Sequence, residues 1–334
     1  MNNRNIKPIL IVKKNSTIPE DLFFEKIYFF NRFFELLIIC FKNRNHLIYY
    51  SCQGLYLYGV IALICKNNKF FFDNYDQYTG VFNDVNFLKS FFEMKLIKKA
   101  DLNISRGLEL NHLNKKYKNI FFPDYLIKKN ISIKKNKEKK LINICYIGKL
   151  KPSNLWNNKN DYDQNDDDVI KWFSRFTNIN YHLFPSTNLD NNSINDYKKL
   201  CSKYPNIYFN ENTNYKDMLV KISDFDYGIA NFDIVTPSNK NLKNKLKYSM
   251  ANKIFDYIQC GLGVIFSRHE NNYSNFTYNF MKHYGFAIDI EVEKFQTDNL
   301  YDFLNNKKKS INFDNLELMD IKKNIVRLLK KIEY

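Results

Sequence analysis

Short apolar runs alternate with longer helical segments along almost the whole chain, and this alternation limits the fold more than any single motif. In the first half the runs are "PILIV" (8–12), "HLIYY" (46–50), "KFFFD" (69–73), "DLNIS" (101–105) and "NIFFP" (119–123). Between them lie "DLFFEKIYFFNRFFELLIICFKN" (21–43), a helix from Leu55 to Lys66, "NDVNFLKSFFEMKLIKKA" (83–100) and "GLELNHLNKKY" (107–117). Such spacing leaves room for crossover helices, and crossovers pair strands in parallel with both sheet faces covered. An α/β chain with parallel sheets is therefore expected.

At residues 128–140 the pattern breaks into "KKNISIKKNKEKK", polar and rich in lysine, which reads as a solvated linker. Alternation then resumes with strand "INICYIG" (142–148), helix 168–178, strand "NYHLF" (180–184) and helix 193–203. Strand "IYF" (207–209), helix "YKDMLVKIS" (215–223), strand "DYGIANF" (226–232) and strand "GVIFS" (263–267) follow. With 334 residues, two domains of ordinary size are expected. Their expected bounds are 1–127 and 141–318, followed by an amphipathic helix at 319–334. Two Rossmann-like sheets facing a cleft bind ligands at the carboxyl ends of their strands.

Charge and cysteine usage narrow the class further. Lys+Arg number 51 against Asp+Glu 35, a formal charge of +16, which favours anionic partners. The lysines are spread along the chain, and no aromatic platform for nucleic acid stands out, so no nucleic-acid partner is expected. The six cysteines form no CxxC pair and several lie inside apolar runs, as reduced thiols of a cytoplasmic protein do. "MNNRNIKPILIVKKNS" has a five-residue apolar core and no cleavage-site pattern, so no signal peptide is read there. Residues 47–65 carry no charge and approach spanning length, but "SCQG" interrupts them and "KFFFDNYD" follows. They are read as part of a buried βαβ unit. Aspartate pairs such as Asp161/Asp163, Asp166/Asp168 and Asp224/Asp226 lie in polar loops or before a strand, and no metal site is expected from them.

One helix concentrates polar groups. In "YSMANKIFDYIQCGLGVI" (248–265), Ser249, Lys253, Asp256 and Cys260 share a stripe, while Ala251, Ile254, Phe255 and Ile258 face the other way. A helix starting near Ser249 would offer free amides at residues 250–253 to an anion, with Lys253 adding a full charge. Asp256, one turn on, suits the paired hydroxyls of a ribose. An exposed i, i+3 ion pair, worth about 0.3 kcal/mol, explains this segment equally well.

The residues themselves go further. "NKIFDYIQCGLGVI" resembles the nucleotide-sugar-binding signature in the C-terminal domain of GT-B glycosyltransferases, particularly the GT4-like group. "NICYIGKL" (143–150) is similar to the strand and glycine turn that open that domain, and "DFDYGIANF" (224–232) to the strand before the ligand loop. "EMKLIKKADLNIS" (93–105) resembles a segment of the N-terminal domain. The resemblance covers most of residues 45–290 and is specific around 252–265. It implies a metal-independent glycosyltransferase with no cofactor beyond its donor substrate, a UDP- or GDP-sugar. Asp256 takes the place of the ribose-binding glutamate, Lys253 lies at the diphosphate with Gly148, Ser249 and Asn252 around it, and Lys149 neutralises the leaving group. Tyr248 stands where the family carries a glutamate that contacts the donor sugar, and Gly263 where a proline is usual.

Asp73 and Asp76, in "FFFDNYDQYTG", fall at the carboxyl end of a first-domain strand and are the candidate bases for the acceptor hydroxyl. The implied partners are the nucleotide sugar and a glycan or lipid-linked acceptor, with synthesis of bacterial-type surface polysaccharide or glycolipid as the setting. Residues 22–44 and the lysine linker are candidates for a peripheral contact with the inner membrane face. A catalytically silent scaffold or partner subunit of the same fold is one alternative, prompted by Tyr248 and the short first domain; a basic nucleic-acid-binding protein, prompted by net charge alone, is the other.

Overall fold

Hydrogen-bond closure of the apolar runs produces three parallel sheets in a computed structural model. It describes residues 9–13, 25–52, 55–74, 86–107, 117–124, 126, 140–155, 166–186, 189–211, 213–230, 232, 247–268, 275–295, 299–308, 311, 316 and 319–326. The chain divides into two units, Met1–Phe121 and Phe122–Tyr334.

The first unit begins with β1 (Ile9–Lys13) and β2 (Lys26–Phe30), a parallel pair in register from Ile9 with Lys26 to Lys13 with Phe30. This corrects the single helix expected over 21–43. "KIYFF" is aromatic and β-branched, which suits a strand, and only Phe30 of it is buried. The helical part is confined to α1 (Phe33–Lys42), started by Glu35, whose carboxylate accepts the amides of Asn31 at 2.6 Å and Arg32 at 3.3 Å.

The second sheet of this unit joins β3 (Ile48–Cys52), β4 (Phe70–Asn74), β5 (Leu102–Ser105) and β6 (Asn119–Phe121) in that order, all parallel. Helix α2 (Tyr56–Cys65) crosses from β3 to β4, as the βαβ reading of residues 47–65 expects, and α3 (Phe87–Lys99) crosses from β4 to β5. Gly59 lets α2 sit down on the sheet: a Cβ there would meet the Tyr50 ring at 2.4 Å. The core is Phe70, Phe72, Leu96, Ile97, Val60 and their neighbours. Among the described residues no helix is long and apolar enough to cross a membrane. The segment 108–116 of the helix expected over 107–117 lies outside the described residues.

In the second unit six parallel strands run in the order β12-β11-β10-β7-β8-β9. They are β7 (Ile142–Gly148), β8 (Ile179–Pro185), β9 (Ile207–Phe209), β10 (Tyr227–Ile229), β11 (Gly263–Arg268) and β12 (Ala287–Glu291). The chain winds outward from β7 to β9, returns to β10 beside β7, and winds the other way to β12. That reversal is the topological switch point of a doubly wound sheet, where ligands of such sheets bind. The helices are α4 (Asp166–Phe173), α5 (Asn191–Cys201), α6 (Tyr215–Ile222), α7 (Lys253–Gln259), α8 (Phe276–His283) and α9 (Asn299–Lys308).

Buried polar groups tie this unit together. Asp226 accepts the Asn143 amide at 2.8 Å and the Lys308 ammonium at 2.6 Å, fastening α9 to the sheet. Asp166 accepts the Lys151 amide and the Tyr197 hydroxyl. Both aspartates are therefore structural. Residues 122–126 belong to this unit: Leu126 bridges Asp320, with its amide donating to the Met319 carbonyl at 2.9 Å. The division thus falls at Phe121/Phe122, ahead of the lysine segment, of which only Lys140 is described. Of the terminal helix, residues 321–326 are described and helical.

Candidate functional site

The helix that carries the polar stripe starts one turn later than the sequence suggests. Thr277 of α8, fully buried, intervenes: its hydroxyl accepts the Ala251 amide at 3.0 Å and donates to the Ser249 carbonyl at 3.2 Å. Residues 249–251 are thereby held out of the helix, which begins at Lys253 with Asn252 as its leading residue. The Ile254 and Phe255 amides are closed onto Ala251 and Asn252 carbonyls. The expected row of free amides at 250–253 is thus not what this segment offers, since the Ala251 amide is taken. Gly261, at φ 77°, ends the helix as expected.

What α7 does offer is a lysine delivered to the switch point. The Lys253 ammonium lies 3.8 Å from the centroid of the Tyr146 ring on β7. It also lies against Gly148: a Cβ on that glycine would stand 2.8 Å from Lys253 Nζ and 2.6 Å from the Tyr146 hydroxyl. The Tyr146 hydroxyl donates to the Lys149 carbonyl at 3.4 Å, shaping the turn that puts the exposed Lys149 directly after the strand. Gly148, Lys149 and Lys253 therefore meet at the carboxyl end of β7, the central strand of the reversal.

Tyr257, one turn after Lys253, explains why the helix lies there. Its ring covers Gly228, where a Cβ would sit 2.2 Å from it, so glycine is required at that place in β10. Its hydroxyl accepts the Ile147 amide of β7 at 2.9 Å and donates to the Ile229 carbonyl of β10 at 3.0 Å. β7 and β10 pair only at Tyr227 with Ile144 and Gly228 with Cys145. Beyond that point the hydroxyl stands between the two backbones and satisfies both. Burial pushes the phenol well above its ordinary range, so it keeps its proton and can fill both roles. Sequence reasoning passed over Tyr257, because an aromatic in an apolar helix reads as ordinary core.

Asp256 points elsewhere. Its Oδ1 accepts the Tyr215 hydroxyl at 2.5 Å. Burial, and then the neighbouring charge of Asp124, raise its pKa, while the Tyr215 hydroxyl counters them. Structural ion pairs do the reverse to a carboxylate. A half-buried acid held against its preference is a mark of functional sites. Each member of the Lys253/Asp256 pair thus has another partner, Tyr146 for the lysine and Tyr215 for the aspartate. Asp124, in "FFPDYLI", is a second residue the sequence reading missed, since it lies far away in the chain.

The remaining candidates separate. Asp73, buried at the end of β4, engages both carboxylate oxygens inside the first unit, with Arg106 Nη1 on Oδ1 and the Tyr49 hydroxyl on Oδ2 at 2.5 Å. It ties Tyr49 of β3 and the residue after β5 to the end of β4, so the candidate base has structural partners within the first unit. Asp76 lies outside the described residues. Tyr248 lies under Lys247, whose ammonium is 5.0 Å from its ring centroid. Gly263 opens β11, and a Cβ there would meet Ile311 Cδ1 at 2.4 Å. Among the described residues no three His, Cys, Asp or Glu side chains form a group suited to a metal ion.

No family model matches this sequence. No curated protein matches it either. Comparison of the structure with solved ones does find similar folds. OtsA in its apo form is 12% identical with a TM-score of 0.55, the match covering 90% of this chain and 77% of that one. The α,α-trehalose 6-phosphate synthase from Burkholderia multivorans is 9% identical at 0.54, covering 91% and 78%. The pneumococcal O-GlcNAc transferase GtfA, solved in complex with UDP and GlcNAc, is 10% identical at 0.57, covering 90% and 59%. At these identities the likeness speaks to the fold, and the fold is that of the GT-B glycosyltransferases.

Proposed function

We propose that the second unit binds a nucleotide-diphosphate sugar at the carboxyl end of β7, and that the chain is a glycosyltransferase moving that sugar to an acceptor hydroxyl. The observation that carries this reading is the Lys253 ammonium set against Gly148 at the switch point of a doubly wound sheet. Gly148 lets the Lys253 ammonium close directly onto the backbone at the end of β7, and Lys253 with Lys149 supplies the positive charge for a diphosphate. In the reaction the bond between C1 of the sugar and the diphosphate oxygen breaks, and a bond from the acceptor oxygen to C1 forms. Negative charge develops on the departing diphosphate, and fixed cations stabilise it most in the transition state. This reading calls for no divalent cation. Asp256, costly to ionise where it sits, is the acceptor for ribose hydroxyls, which would replace Tyr215 or share it.

The acceptor proton needs a base, and Asp76 is the candidate: Asp76→Asn is expected to suppress transfer while leaving donor binding intact. Synthesis of a surface polysaccharide or glycolipid of bacterial type is the proposed setting, with a UDP- or GDP-sugar as donor. The test of the donor site is calorimetry with UDP, GDP and their sugars on Asp256→Ala and Lys253→Ala. Each substitution should weaken nucleotide binding about tenfold or more; unchanged affinity in both would refute the site. A silent scaffold is favoured by one observation, Tyr248 in place of the family glutamate. Nucleotide binding without turnover of any UDP-, GDP- or CDP-sugar would establish it.

A further inference from the structure

Helix α1 is apolar on the face it should keep polar. Phe33, Phe34, Leu37, Ile38 and Phe41 are all exposed, Phe34 at 74% and Phe41 at 54%. Their spacing sets them on one stripe about 140° wide. The buried pair Leu36 and Cys40 faces the core from the other side. The preceding strand adds Ile27 and Phe29, exposed alternately with the buried Phe30. Single exposed apolar residues are ordinary, but seven within fifteen residues mark an interaction surface.

The charges around this face indicate what covers it. Lys26, Arg32, Lys42 and Arg44 frame the stretch. Two of them are held over aromatic rings of the stretch: Arg44 lies 4.4 Å from the centroid of Phe41, and Lys26 lies 4.6 Å from that of Tyr28. Glu35, the one acid between Lys26 and Arg44, is turned onto the amides that begin α1. The same arrangement recurs on α3, where exposed Phe87, Leu88 and Phe91 are followed by the exposed lysines 95, 98 and 99. Helix α2 packs against both α1 and α3. An apolar face with a cationic rim complements an anionic bilayer, acyl chains taking the aromatics and phosphates the cations. A second copy of a chain with net charge +16 would meet it with like charge.

We propose that the first unit docks on an anionic membrane surface through the exposed face of β2 and α1, lying on the bilayer without crossing it. The proposal stands independently of the donor site, which belongs to the second unit. The test is flotation of the full chain with vesicles of phosphatidylcholine alone and of phosphatidylcholine mixed with phosphatidylglycerol. The chain should partition onto the mixed vesicles only. Phe34→Glu/Ile38→Glu should lower that partition at least about tenfold, and Lys42→Glu/Arg44→Glu should weaken it and flatten its salt dependence. Phe34, Ile38 and Lys42 are exposed and Arg44 is half-buried, and thermal unfolding together with circular dichroism verifies that the variants are folded. Failure of the unaltered chain to bind mixed vesicles overturns the proposal, as does equal binding to neutral vesicles or retention of binding by Phe34→Glu/Ile38→Glu. A dimer in sedimentation that this double variant dissolves, without vesicle binding, assigns the face to a second copy instead.

Discussion

The two units use the same aromatic-rich composition in opposite ways. Among the described residues, fifteen large hydrophobic side chains are exposed in Met1–Phe121 and six in the longer Phe122–Tyr334. The second unit buries several tyrosines with their hydroxyls bonded: Tyr197 donates to the Asp166 carboxylate, Tyr227 to the Leu304 carbonyl and Tyr257 to that of Ile229. The first unit buries Phe70 and Phe72 beneath its helices yet leaves Phe33, Phe34 and Phe87 outside. An apolar side chain is therefore not a core residue by type. What decides is whether the architecture offers it a second layer, and α1 has one on a single side.

Substitutions can break or sharpen that contrast. The largest effect is expected at Tyr257→Ala, which empties the space over Gly228 and orphans two backbone groups; unfolding in denaturant should show a loss of about 3–5 kcal/mol. Phe72→Ala should cost a similar amount in the first unit, about 3–5 kcal/mol. Tyr257→Phe keeps the ring and should lose about 1–3 kcal/mol, with weaker nucleotide binding because Lys253 rides on the same helix. Next comes Gly148→Ala, whose methyl would displace the Lys253 ammonium. Nucleotide affinity should fall about tenfold, with far less change in thermal stability.

A pH experiment separates the units further. His182, half-buried between Tyr208 and Phe225, has its pKa pushed down to about 4 by burial. The unfolded chain protonates near the ordinary value of about 6.5, so the folded state binds fewer protons between these values. Stability of the second unit should therefore fall as pH drops from about 6.5 towards 4, and His182→Phe should flatten the slope of melting temperature against pH. Asp256 has the opposite sign. Its raised pKa means that ionisation costs stability as pH rises through the carboxylate range, so Asp256→Asn should be no less stable at neutral pH while losing nucleotide. The smallest effect is expected at Phe34→Ala, within about 0.5 kcal/mol, despite the size of the side chain removed.

Much of the architecture was legible because alternation reports backbone topology directly. The strands 142–148, 207–209 and 263–267 lie within a residue of those observed. Residues 21–43 misled because "KIYFF" carries equal weight as strand and as apolar helix face, and only pairing with β1 decides it. The start of α7 was illegible for a related reason: the group that blocks it, the Thr277 hydroxyl, lies more than twenty residues on. Of the site, Lys149, Lys253 and Asp256 were named from motif residues. Tyr257 and Asp124 act through contacts that spacing along the chain does not reveal. Asp73 shows the converse, a carboxylate in a promising loop position whose oxygens are engaged within the fold.

The Tyr257 hydroxyl between β7 and β10 has a kinetic corollary. The Ile147 amide hydrogen is held by a side chain on α7, where its neighbours in the sheet are held by other strands. Its exchange with solvent deuterium should follow departure of α7 alone, ahead of global opening of the sheet. One amide then serves as a built-in clock for the helix that carries Lys253, and a bound nucleotide should slow it before it slows any other strand residue.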